Sequence, residues 1–297
     1  MHNVLTLVAP SSPQLSEAIL NTIFEEFRQL KINPQLNWLS ENEACDLYFS
    51  GMDCDAVDKL VRKKINGLSI DLAVQPAENR TKKILIADMD STIITTESLD
   101  EIADFFGLKE EISTITAEAM NGKIPFERAL IERVAMLKGF SDKCIAEIIA
   151  NFSYSKGAKV LVKTMNKNGS LTALVSGGFR QFTNHVRDAL GFTLDFGNEL
   201  EIKEGKFTGR IVGDVLTGSV KKQIMDLLMD QHRLSYSEVL AVGDGANDIP
   251  MLLAAGLGVG YRAKSIVAEK VRFNISHAGL EALLFFQGIP RVEFEEE

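Results

Sequence analysis

The sequence predicts an α/β protein. Its larger part is a doubly wound parallel sheet with an inserted helical cap, and a smaller α+β unit precedes it. Three observations predict this. From residue 84 onward, short apolar runs alternate with helix-length stretches, the pattern of a parallel sheet covered on both faces. The stretch 97–157 between the first two runs reads mostly helical and is too long for a simple crossover, so it reads as an insertion. Before residue 80 the elements follow a different order, β-α-β-β-α-β.

Element by element, VLTLVA (4–9) alternates as a strand does, and SSP (11–13) is a helix start. From Gln14 to Leu30, the residues Leu15, Ile19, Ile23, Phe24 and Phe27 fall at helical spacing. PQLNWLS (34–40) and ACDLYFS (44–50) read as strands, CDAVDKLVRKKI (54–65) as a second helix and SIDLAVQP (69–76) as a further strand. Ferredoxin-like folds have this order, and small ligand-sensing ACT-like modules share it, although order alone gives no function. The polar AENRTKK (77–83) reads as a linker. The expected division is thus 1–80 for the ferredoxin-like (ACT-like) unit and 81–297 for the larger one, with the cap at about 95–157.

In the larger unit the predicted strands are KILIAD (83–88), SLTALVSG (170–177), a short FTLDF (192–196), EVLAVGD (238–244) and, last, GVGY (258–261). Alternation across ELEIKEGKFTGRIVG (199–213) around Glu204-Gly205 predicts a hairpin. The acidic end, EFEEE, reads as a frayed, solvated terminus.

Composition limits the function classes. Of 297 residues 45% are hydrophobic and 25% charged, as in an ordinary soluble globular protein. With 32 basic against 41 acidic residues the net charge is -9, which argues against general affinity for nucleic acid or an anionic membrane. Cys45, Cys54 and Cys144 are odd in number and far apart, so neither a disulfide framework nor a zinc site is indicated. No signal-like start and no run near the ~18 apolar residues of a membrane span is present, so the expected location is cytoplasmic.

The core strands run into polar clusters: Asp88-Met89-Asp90-Ser91-Thr92, Ser176-Gly177-Gly178, and Gly243-Asp244-Gly245-Ala246-Asn247-Asp248. Ligands of open α/β sheets sit at the carboxyl ends of the strands, so parallel pairing brings these distant clusters to one edge. Taken singly, D-x-D-x-T is an ordinary turn with a helix cap, S-G-G a tight turn, and Lys221 a surface charge. Together, three carboxylates (Asp88, Asp90, Asp244) at one edge repel unless a cation lies between them. An all-oxygen set suits a hard ion such as Mg²⁺, which also binds phosphate. One carboxylate can then attack phosphorus directly, and the other, its proton affinity raised by nearby negative charge, can protonate the leaving oxygen. Ser176, the Gly177 N–H and Lys221 supply donors for phosphoryl oxygens.

On DMDST (88–92), SGG (176–178), the lysine in VKKQI (220–224) and GDGANDIPM (243–251), in that order and with a helical cap between the first two, residues 83–289 resemble the phosphoserine phosphatases of the haloacid dehalogenase superfamily. The resemblance implies Asp88 as nucleophile, forming an aspartyl-phosphate, and Asp90 as general acid and then base. It implies Mg²⁺ held by the Asp88 side chain, the Asp90 carbonyl and Asp244, with Asn247 and Asp248 close behind. Read from spacing alone, Glu97 and Arg133 are surface helix charges and Met120 and Phe126 cap core. The resemblance instead implies that Glu97 and Arg133 hold the amino-acid end of O-phospho-L-serine against an apolar wall of Met120 and Phe126. It further implies release of L-serine as the last step of serine biosynthesis. The β-α-β-β-α-β order of the N-terminal unit permits serine sensing or a homodimer, with a stabilising appendage as the equal alternative. A phosphotransferase or general phosphomonoesterase is the enzymatic alternative. A non-catalytic ligand sensor, favoured only by loss of a motif aspartate, is the alternative of another class.

Overall fold

A computed structural model describes residues 2–10, 14–120 and 123–296. The first part of the chain forms β1 (Asn3–Val8), α1 (Glu17–Gln29), β2 (Gln35–Ser40), β3 (Ala44–Phe49), α2 (Cys54–Lys64) and β4 (Asp71–Pro76). The strands make a small antiparallel sheet in the order β2-β3-β1-β4. The expected helix start at 11–13 lies outside the described residues. Helix α1 begins at Glu17, later than Gln14, because Ser16 caps it, its side chain accepting the Ile19 N–H. Asp53 caps α2 in the same way, accepting from Asp55 and Ala56.

Strand periodicity splits this sheet into two faces. Leu5, Leu7, Leu47, Phe49, Leu72 and Val74 pack with Phe27, Val57 and Val61 under the two helices. Val8, Ala44 and Ala73 belong instead to the large core that also holds Leu283 to Phe286. The polar side chains of that second face are fully engaged. Arg80 donates to both carboxylate oxygens of Asp46 (2.6 and 3.0 Å), to Thr6 Oγ1 (2.8 Å) and to the Phe285 and Phe286 carbonyls (3.2 and 3.3 Å). Gln75 donates to the Phe286 carbonyl, and the Asp71 carboxylate accepts the N–H groups of Ser276, His277 and Ala278. The connecting stretch 77–83, read as a plain polar linker, thus contains two buried cations, Arg80 and Lys82.

The rest of the chain forms β5 (Ile84–Ala87), α3 (Ser98–Phe105), α4 (Lys109–Met120), α5 (Phe126–Met136), α6 (Cys144–Ala150) and α7 (Ala158–Lys167). It continues with β6 (Leu171–Phe179), α8 (Arg180–Leu190), β7 (Leu194–Lys203), β8 (Lys206–Val212), α9 (Gly218–His232) and β9 (Val239–Gly243). Then follow α10 (Ile249–Ala254), β10 (Leu257–Tyr261), α11 (Ser265–Ala268), β11 (Phe273–Ile275) and α12 (Ala282–Phe286). The sheet order is β11-β10-β9-β5-β6-β7-β8, parallel throughout except for the antiparallel β8. Strand β5 is central and every residue in it is buried: Leu85 and Ala87 face one core, Ile84 and Ile86 the other. That two-sided burial is why its sequence reads as an unbroken apolar run.

Two readings change. The short strand at 192–196 and the first arm of the hairpin are one strand, β7, which pairs with β6 and then with β8. Its turn has positive φ at both Glu204 (51°) and Gly205 (71°), as a two-residue hairpin requires. The last strand is β11, not β10. Helices α3 to α6 form the insertion, and its two connections to the sheet run side by side: Ile94 pairs antiparallel with Tyr154, Thr95 N–H donates to the Ser153 carbonyl, and Ser155 N–H to that of Ile93.

Candidate active site

The carboxyl ends of β5, β6 and β9 meet at one cavity of about 800 Å³, roofed by α3, α4 and α5. Asp88 follows β5. Its Oδ1 accepts the Met89 N–H (2.8 Å) and the Lys221 ammonium (2.6 Å). Beyond it the chain turns sharply: Ser91 takes φ 56°, and the turn is closed by the Ile94 N–H on the Met89 carbonyl (3.0 Å).

Asp90 faces elsewhere. Its Oδ1 accepts the N–H of Ser98 (2.8 Å), the first residue of α3, and its Oδ2 accepts the Ser176 hydroxyl (3.1 Å). Burial, joined by repulsion from Glu97, pushes its carboxyl up to about 7, and the Ser98 and Ser176 donors only moderate the rise. One carboxyl of the pair is therefore ion-paired with a lysine, while the other, bonded to Ser98 and Ser176, has no ammonium in contact among the described residues.

The third carboxylate of the cluster is Asp248 rather than Asp90. Oxygens of Asp88, Asp244 and Asp248 lie within 4.8 Å of one another, and all three residues are buried. Lys221, fully buried on the first turns of α9, reaches both Asp88 (2.6 Å) and Asp248 (2.7 Å). Two close backbone approaches permit this. A Cβ on Gly218, at the start of α9, would lie 2.5 Å from the Asn247 carbonyl, and one on Gly243 would lie 2.4 Å from the Asp248 carboxyl carbon. Burial opposes the Lys221 ammonium, but Asp248 and Asp88 outweigh it and hold its pKa above the ordinary lysine range. Burial first, then repulsion from Asp248, pushes Asp88 upward despite Lys221; burial likewise raises Asp244, with Lys264 opposing. Two ammoniums, the buried Lys221 on Asp88 and Asp248 and the half-exposed Lys264 on Asp244, thus face three buried carboxylates. The surplus of negative charge and the all-oxygen donor set fit a hard divalent cation.

The Ser176 hydroxyl also accepts the Gly178 N–H (2.8 Å), and the Gly177 carbonyl accepts from Asn198 (2.7 Å). Pairing of β6 with β7 breaks between Val175 and Phe179, so residues 176–178 leave the regular ladder at the cavity. Asn247 and Gly177 line the same cavity, as do Glu97 and Arg133 from the cap. Glu97 accepts the Ser91 hydroxyl (2.8 Å). Arg133 donates to the Ala129 carbonyl (3.2 Å) and to Thr116 Oγ1 (3.3 Å). The side chains of Met120 and Phe126, expected as an apolar wall, lie outside the described residues.

Four neighbours of the site escaped sequence reasoning. Lys264 follows β10, its Nζ 3.3 Å from Asp244 Oδ2 and its N–H on the Asp244 carbonyl. The rule that polar residues after core strands face the ligand would have found it. Ser98 and Thr116 sit within cap helices, where nothing distinguishes them from surface hydroxyls. Asn198 lies inside a strand and bridges the Gly177 carbonyl to the Leu216 N–H (2.8 Å), a tie with no local signal.

A parallel α/β sheet with buried aspartates gathered at its carboxyl edge and a helical cap above defines a class of hydrolases, and the chain belongs to it: residues 85–253 match the haloacid dehalogenase-like hydrolase family. Within that family it is similar to phosphoserine phosphatases. The one from Archaeoglobus fulgidus is 38% identical over 247 residues, covering 82% of this chain and 72% of that protein. Among solved structures, a probable phosphoserine phosphatase from Vibrio cholerae superposes with a TM-score of 0.79 at 27% identity, over 98% of this chain and 88% of that one. A haloacid dehalogenase family hydrolase from Salmonella enterica superposes with a TM-score of 0.85 at 26% identity, over 96% and 98%.

Proposed function

We propose that this chain hydrolyses O-phospho-L-serine to L-serine and phosphate, the serine-forming last step of serine biosynthesis. Asp88 attacks phosphorus and becomes the aspartyl-phosphate; the leaving serine oxygen takes the proton held on Asp90. Asp90 then accepts a proton from the water that releases phosphate. Ser176, the Gly177 N–H and Lys221 hold the phosphoryl oxygens, and Glu97 and Arg133 take the ammonium and carboxylate of the serine, with Met120 and Phe126 as apolar wall and Asn247 at the rim. Mg²⁺ is the proposed cofactor, with the Asp88 and Asp244 side chains and the Asp90 carbonyl as ligands and Asp248 behind them; bound there, it would neutralise charge on the phosphoryl group.

The observation that carries this reading is the division of labour between the two motif aspartates. Asp88 is ion-paired with Lys221 in the charge cluster, and Asp90 stands apart from that ammonium, bonded to the Ser98 N–H and the Ser176 hydroxyl. Phosphate release from a panel of phosphomonoesters, with Mg²⁺ and with chelator, tests it. Preference for phosphoserine, lost in chelator, is the expected result; equal rates across the panel would assign a general phosphomonoesterase, and transfer to an alcohol in place of water a phosphotransferase.

For the organisation of the chain we propose a unit at 1–80, of ferredoxin-like and ACT-like type, and a hydrolase unit at 81–297 with its cap at about 95–157. A homodimer through the first unit and a cytoplasmic location complete the proposal. Among the described residues no helix is long and apolar enough to cross a membrane.

A further inference from the structure

Arg133 carries its positive charge at the cavity without an acidic partner in contact among the described residues. Burial holds the guanidinium below the ordinary arginine value, while Asp100 and Glu97 pull the other way. Yet no carboxylate among the described residues lies within ion-pair distance of it; its two bonds go to neutral oxygens. Nε donates to the Ala129 carbonyl one turn earlier on α5 (3.2 Å), and Nη1 donates to Thr116 Oγ1 on α4 (3.3 Å). The Thr116 hydroxyl has donated its own proton to the Ile112 carbonyl (3.0 Å), so its oxygen is left to accept. Two of the five guanidinium N–H groups are thus engaged, and the remaining ones have no partner among the described residues.

We propose that Thr116 positions Arg133: a neutral oxygen fixed on the neighbouring helix holds the guanidinium over the cavity and keeps its charge and free donors available for a carboxylate. This rests on the proposed reading of Arg133 as the carboxylate holder. The neutrality of the anchor is the functional point. Asp100 and Glu97 both line the cavity. A guanidinium released from Thr116 can pair with either, and a substrate carboxylate would then have to displace an internal ion pair. A bidentate grip also needs the planar fork held in one orientation, which a bond from α5 alone does not provide.

Thr116→Val removes the hydroxyl with little change of shape. The expected result is a rise in KM for phosphoserine of about three- to tenfold, as for loss of one hydrogen bond. kcat should stay nearly unchanged, and constants for p-nitrophenyl phosphate, which has no carboxylate, should stay within about twofold. Thr116→Ser, keeping the oxygen, should restore the KM. In an Arg133→Ala background Thr116→Val should add nothing, because a positioning residue has no effect once its target is gone. A defect equal on both substrates, a defect additive with Arg133→Ala, or no defect at all would overturn the inference. If Thr116→Val fails to fold, Thr116→Ala in the same cycle gives the same decision. Arg133→Ala alone separates the two levels. Equal loss on both substrates would remove the carboxylate reading itself, whereas a selective loss with a silent Thr116→Val would remove only the role of Thr116.

Discussion

Two buried basic residues, Arg80 and Lys221, face aspartates in this molecule, and they have opposite surroundings. Arg80 pairs with one carboxylate, Asp46, and it also donates to two hydroxyls, Thr6 and Tyr48, and two carbonyls. Charge and hydrogen bonds balance there. Lys221 pairs with Asp88 and Asp248 while Asp244, paired only with the half-exposed Lys264 (3.3 Å), crowds the same space, so three carboxylates still outnumber two ammoniums. The balanced pair ties the small sheet to helix α12; the unbalanced cluster is where the proposed cation and substrate would bind. The difference separates architecture from chemistry more sharply than burial does, since Lys221 is fully buried and Arg80 nearly so.

The largest expected effect is at the unbalanced cluster. Asp88→Asn keeps the shape but removes the nucleophile, and turnover should fall below about 10% of wild type with the fold intact by circular dichroism. A base-labile phosphoryl adduct should map to the peptide containing Asp88, and its recovery on Ser91 or Thr92 would overturn the mechanism. At the balanced pair the effect should appear in stability instead. Arg80→Ala leaves Asp46 buried without its partner, which costs about 3–5 kcal/mol. The unfolding midpoint in urea should drop while kcat at low temperature is kept; a lost kcat in a folded variant would join the two regions functionally and break the comparison.

Removing residues 1–80 probes the same contrast by another route. No proposed site residue precedes Asp88, so the hydrolysis step should survive, with lower stability because the Phe285–Phe286 surface loses its cover. A well-folded but inactive product would bring the first unit into the site. Next in size is selectivity. Arg133→Ala should lower kcat/KM for phosphoserine about ten- to a hundredfold and leave p-nitrophenyl phosphate largely unaffected, since charged hydrogen bonds are worth about 1.5–3 kcal/mol each. Glu97→Gln should act in the same direction.

The smallest effect concerns pH. Asp90 donates only when protonated, and its raised value of about 7 keeps the proton up to neutral pH. Above that, kcat/KM for phosphoserine should fall by up to about tenfold per pH unit. For p-nitrophenyl phosphate, whose leaving group needs no proton, the profile should be flatter. Identical profiles would remove Asp90 as the acid.

The chemistry of this site was legible in the sequence wherever a polar residue directly follows a buried strand. Asp88 and Asp244 stand after four- and five-residue apolar runs, and parallel pairing leaves them no other edge. The partition between Asp90 and Asp248 was not legible. Both stand a few residues past a strand, and which one joins the cluster depends on the start of α3, whose Ser98 N–H captures Asp90. Arg80 was hidden for a different reason. In a polar stretch it looks solvated, and its partners lie 34 and more than 200 residues away. Strand β11 has only three residues, too few for any periodicity. Distance along the chain and shortness of an element, rather than any lack of pattern in the core, set these limits.

The central claim is that excess negative charge at Asp88, Asp244 and Asp248 is completed by a divalent cation. Titration calorimetry with Mg²⁺ on the chelator-treated protein tests it most directly, using wild type, Asp244→Asn and Arg80→Met. The account predicts one site in wild type, at least about tenfold weaker binding in Asp244→Asn, and unchanged affinity in Arg80→Met provided that variant is folded. Absence of binding in wild type, or equal affinity in Asp244→Asn, would contradict it.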